Sequence, residues 1–146
     1  MNKNGFSTLE AIASILIISL VLFSSITILI NNRVQANATA NRLIAYQVGQ
    51  NIRDNITHNT TYSDAFAWLN NNETKTISSD NCAYDSVIVS CDDFSYVVNN
   101  ISFADLTEIT FYQPSTEDQY YHVIHYLIVI SYMDSRTIEL WGWIYE

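Results

Sequence analysis

Thr8-Leu-Glu10 followed by Ala11-Ile-Ala-Ser-Ile-Leu-Ile-Ile-Ser-Leu-Val-Leu-Phe-Ser-Ser-Ile-Thr-Ile-Leu-Ile30 is the stretch that decides how this chain is built. A bilayer core takes about 20 mostly apolar residues as a helix, and Ala11 to Ile30 supplies that span without charge, Gly or Pro. Glu10 stands at its start, next to Leu9 and close to Phe6. An ionised carboxylate costs about 2.5–3.5 kcal/mol at the bilayer centre and less toward the interface, so this one needs a partner. Lys3 lies about two helical turns away, roughly 10 Å, too far for a local salt bridge.

Downstream of Ile30 the chain turns polar but keeps a helical rhythm. Val34, Ala38, Ala45, Val48, Ile52 and Ile56 fall on one face at spacings of three, four and seven, with Arg42 and Arg53 beside the stripe. Phe6 to Thr57 therefore reads as one helix of roughly 75–80 Å at 1.5 Å per residue, its second half packed on a folded domain. Leu43 points away from the stripe with Ile44 beside it. Gly49 weakens the helix there by about 1 kcal/mol relative to Ala without breaking it.

Thr57 to Asn81 is rich in Asn, Thr, Ser and Asp, with one apolar knot at Ala65-Phe-Ala-Trp-Leu69, and reads as a connecting loop with a short helix. After Cys82 the signal changes to strands. Val87 to Val89, Phe94 to Ile101, Thr107 to Tyr112, Tyr120 to Tyr132 and Arg136 to Tyr145 are β-branched or aromatic runs between Asp, Asn, Pro and Ser turns. The fold class that follows is α+β: a long N-terminal helix and an antiparallel sheet of about four strands. Val123 to Ile130 is almost wholly apolar and so belongs at the centre, with Met133-Asp-Ser135 turning it into the last strand. In that strand Ile138, Leu140 and Ile144 share the face toward the helix. Trp141, Trp143 and Tyr145 share the other, either as a partner face or covered by the Cys82 to Cys91 loop.

The chain has 146 residues, 49% of them hydrophobic, and a formal net charge of −9. That leaves room for one small domain after the anchor. Thirteen of its fifteen acidic residues lie beyond Thr57, against Lys75 and Arg136. An acidic head argues against a direct, phosphate-driven grip on nucleic acid by this chain alone and suits solvation or a basic partner. Cys82 and Cys91 are the only two cysteines. In an oxidising compartment they close one small disulfide loop; in a reducing one they are two core thiols. No catalytic constellation, cofactor motif or metal motif emerges: His122 and His125 are three apart, which on a strand puts them on opposite faces. Asp92-Asp93 makes a turn next to Cys91 and lacks the ligand-rich pattern of a calcium loop.

The first thirty residues resemble the type IV pilins and the pseudopilins of type II secretion and competence systems. The match is a short basic leader ending in Gly5, then Phe6, then Thr8-Leu9-Glu10, then the apolar helix. The resemblance implies a leader of residues 1–5, cut by a prepilin peptidase between Gly5 and Phe6 with methylation of the new amino terminus. It implies an assembly helix over 6–30, its amphipathic continuation over 31–57 and an extracytoplasmic head over 58–146. It further implies that Glu10 pairs with the terminal amine of Phe6 on a neighbouring subunit. The partners implied are other pilin or pseudopilin subunits, the peptidase, an inner-membrane assembly platform and the membrane itself, with no cofactor and no enzymatic activity. The chain is then stored in the inner or cytoplasmic membrane before entering a pilus or pseudopilus.

Many major pilins carry a proline in the membrane half of this helix. Here Thr27 holds that place, and the sole proline is Pro114, which leans toward a minor subunit. Ser14, Ser19, Ser24, Ser25 and Thr27 can bond back to backbone carbonyls or across helices. The runner-up is a membrane-tethered binding domain that never polymerises. A secretory signal peptide cut after Ala36-Asn37-Ala38 is a further reading, opposed by the length of the apolar run and by Glu10.

Overall fold

A computed structural model describes residues 7–70, 73–83, 86, 88–98, 100–133 and 136–146. Helix α1 runs Thr8–Asn59 without interruption. The chain divides into a unit ending at Thr39 and a second unit, Ala40–Glu146.

In the first unit, Leu9 and the large apolar residues from Ile12 to Ile30 are all exposed. Water opposes such a surface, and α1 is long and apolar enough here to cross a membrane.

The second unit holds the core. Its part of α1 buries Ala45, Val48, Gly49, Ile52 and Ile56, while Leu43 stays exposed and Ile44 is half-buried against the core. The helix ends after two residues more than the sequence suggests. Thr61 then caps the short helix α2, Tyr62–Trp68, by accepting from the Asp64 N–H at 3.3 Å. Leu69 completes the buried side of that knot.

Four strands make one antiparallel sheet in the order β1-β4-β5-β6: Lys75–Ser78, Thr107–Phe111, Val123–Tyr132 and Arg136–Tyr145. A separate two-stranded hairpin is made by β2, Val97–Val98, and β3, Ile101–Ser102. Strand β5 is central, and its even-numbered residues Ile124, Tyr126, Ile128 and Ile130 are fully buried. Registers Ile77↔Ile109, Ile109↔Ile128 and Ile128↔Leu140 carry one apolar row across all four strands. Gly49 lets helix and sheet approach: a Cβ there would run into Leu140 Cδ1 and sit 3.2 Å from Ile130 Cδ1. The helix cost of glycine is accepted for that contact.

Several expected strands are otherwise placed. Of Val87 to Val89, Val87 lies outside the described residues, and Ile88 and Val89 are buried but in no strand. Phe94 to Ile101 is not one strand. Its start closes a 3-10 turn, Cys91–Phe94, fixed by a capping box in which the Ser90 N–H donates to Asp93 Oδ2 at 2.8 Å. Tyr120 to Tyr132 becomes strand only at Val123, because Ser115 and Asp118 cap a short helix α3, Thr116–Tyr120. The region expected as a loop before Asn81 contains β1. Of the expected final turn, Met133 has a left-handed φ of 45°, and Asp134 and Ser135 lie outside the described residues.

Candidate functional site

Gly5 and Phe6, the residues expected at the processing site, lie outside the described residues. Glu10 is in the first turn of α1 and exposed. Among the described residues no cation lies within ion-pair distance of it. The hydroxyls of Ser14, Ser19, Ser24, Ser25 and Thr27 each donate to the carbonyl four residues back, at 2.7–2.9 Å. Their polar atoms are thereby satisfied within the helix, as lipid requires.

In the second unit Cys82 and Cys91 are joined by a disulfide, with Cα atoms 5.2 Å apart. Asp93 follows it, with both oxygens occupied: Oδ2 takes the Ser90 N–H, and Oδ1 takes Asn55 Nδ2 of α1 at 2.7 Å. Asp93 is therefore a clasp between the disulfide loop and α1. Among the described residues no group of three or more His, Cys, Asp or Glu could hold a metal ion.

His122 and His125 do not share a strand. His122 precedes β5 with φ 52° and takes Glu146 at 3.2 Å, its ring stacked on Tyr62 with centroids 5.0 Å apart. His125 sits on the outer sheet face and meets Asp118 Oδ1 at 3.3 Å. Hydrogen bonds from the Ser115 side chain and backbone, helped by His125, hold the Asp118 carboxyl below the ordinary carboxylate value.

Trp141, Trp143 and Tyr145 share the outer face of β6 and are 53%, 55% and 59% exposed, so among the described residues no loop covers them. Tyr112 stacks on Trp141 with centroids 5.5 Å apart. Beside them runs a cleft of about 250 Å³, lined by Arg53, Asp54 and Thr57 of α1 and by Trp141, Gly142, Trp143 and Tyr145. Its inner wall is held by Tyr126, whose hydroxyl donates to the Arg53 carbonyl at 3.2 Å and meets Thr57 Oγ1 at 3.2 Å. Burial pushes the Tyr126 phenol above its ordinary value.

The α1 side of this cleft was not visible in sequence, because Arg53, Asp54 and Thr57 read only as the polar flank of an amphipathic helix. Compared with known proteins, the chain matches no protein-family model, no curated protein and no solved structure. Fold and sequence define a class only: a chain with an α+β domain closed by one disulfide and a helix of membrane-spanning length and composition.

Proposed function

We propose that this chain is a structural subunit, a minor pilin or pseudopilin, of a type IV pilus-like or type II secretion-like filament. A prepilin peptidase removes residues 1–5, Phe6 becomes the methylated amino terminus, and α1 is the polymerising element. The observation that supports this best is Glu10: a carboxylate in the first turn of an apolar helix, without a cation beside it among the described residues.

In lipid, the terminal amine of Phe6 on a neighbouring subunit would compensate Glu10, so the charge is neutralised in the assembled state and not in the isolated one. The membrane stores the subunit, an assembly platform extracts it, and the acidic second unit stays outside the cytoplasm. Its role is mechanical, with no cofactor and no reaction. Thr27 in place of proline and the uncovered aromatics favour a minor subunit, and retention of Glu10 favours a place below the extreme tip.

The test is a Glu10→Val substitution in cells that make the filament. The variant is expected to be made, inserted and processed, but recovered at least tenfold less in sheared surface filaments. Equal recovery of both forms would refute the role given to Glu10. Absence of both from the filament fraction would leave the tethered binding domain as the better reading.

A further inference from the structure

The two outer strands of the sheet differ in how their edges are finished. β1 is four residues long, and its edge is taken by its own chain. Asn81 Nδ2 donates to the Thr76 carbonyl at 3.0 Å, and Asn81 Oδ1 accepts from the Ser78 N–H at 2.6 Å. One side chain thus stands in for a neighbouring strand, which protects an edge against pairing with other chains.

β6 has no such device. It is ten residues long, pairs with β5 alone among the described residues, contains no proline, and bears only Arg136 and Glu139 as charges. Among the described residues no side chain hydrogen-bonds its backbone. A long, apolar, open edge of this kind is a template for strand addition. The cleft beside it lies on the α1 side, between Arg53 and Thr57 and the glycine gap at Gly142. Alternate residues of an added strand would point into that space, and the others would lie beside Trp141 and Trp143.

Charge selects the occupant. Ala40–Glu146 carries fourteen acidic residues against Arg42, Arg53, Lys75 and Arg136. A second copy brings the same excess and is repelled, whereas a basic segment is attracted. We propose that the open edge of β6 takes up an extended basic segment of another protein as a fifth strand, with an apolar side chain seated in the cleft. This holds for a filament subunit and for a tethered domain alike, and its test needs no filament.

The experiment uses the full chain in nonionic detergent and a ten-residue peptide of alternating Val and Lys. Tryptophan emission reports affinity, and amide hydrogen exchange reports the site. The account expects saturable binding, with at least tenfold slower exchange across Arg136–Tyr145 and none across Lys75–Ser78. Binding should weaken at least tenfold in high salt, with a Val and Glu peptide, and with a peptide N-methylated at every backbone nitrogen. Trp141→Lys with Trp143→Lys alters two exposed side chains and removes their emission signal, so this variant is read by exchange alone: the β5–β6 exchange of the free protein should be kept, and the slowing produced by the Val and Lys peptide across Arg136–Tyr145 should fall at least tenfold. Equal binding of the N-methylated peptide, no slowing at β6, or no binding at all would overturn the proposal. So would a concentration-dependent dimer that protects β6 without peptide, which would make a second copy the occupant.

Discussion

Replacing Gly142 by alanine is the sharpest probe of how α1 and the sheet fit together. Gly142 lies opposite Tyr126 in the β5–β6 register. A Cβ at 142 would sit 2.5 Å from Tyr126 Oη and 2.6 Å from Cε2. The ring has little freedom to move, because its hydroxyl is bonded at Arg53 and Thr57 and Phe111 packs on it with centroids 5.4 Å apart. Overpacking of this kind costs about 1–3 kcal/mol. Losing the two hydroxyl contacts adds about 1 kcal/mol each, and the stiffer unfolded chain returns about 0.4–1 kcal/mol. The net expectation is a loss of about 2–4 kcal/mol, which lowers Tm by about 10–25 °C in a unit of this size. Urea and thermal unfolding of the full chain in nonionic detergent, followed by near-UV circular dichroism, would measure it. In a Tyr126→Phe background both hydroxyl contacts are already gone, so the same substitution should cost about 2 kcal/mol less. A Gly142→Ala change smaller than about 0.5 kcal/mol, the range of an ordinary surface substitution, would refute the packing described here.

Reduction, or Cys82→Ser with Cys91→Ser, opens a loop with a sequence separation of 9 and should cost about 2–3 kcal/mol in the chain-entropy treatment; a change near zero in urea unfolding would show that the Asp93 clasp alone orders that loop. Asp118 titrates below its ordinary value of 3.8 in the folded chain, so its contribution to stability is complete above the unfolded value and is lost as pH falls through the folded one. Ser115→Ala should move the Asp118 carboxyl titration, read by NMR, upward toward 3.8, and an unmoved titration would contradict the capping geometry.

The long helix was legible because two signals agree: an uncharged apolar run to Ile30, then a stripe at helical spacing through Ile56. Strands β5 and β6 were legible for a similar reason, one being nearly all apolar and the other dense in β-branched and aromatic residues. Local pattern failed where tertiary context decides. Lys75-Thr-Ile-Ser78 has one apolar residue in four, and becomes a strand through its register with β4. Phe94 looks like a strand residue by composition, but the Ser90 and Asp93 capping box takes its backbone into a 3-10 turn. The Ser115 to Asp118 spacing was a readable helix start that the aromatic run after it obscured. The roles of Asn81 at the β1 edge and of Gly142 beside Tyr126 depend on contacts across 5 and 16 positions of chain, which no periodicity reports.

The most direct test of the central claim is the mass of the mature amino terminus, determined on protein taken from its native cell. The account predicts a chain that begins at N-methylated Phe6. A chain that begins near Thr39, or one that keeps Met1, would contradict it.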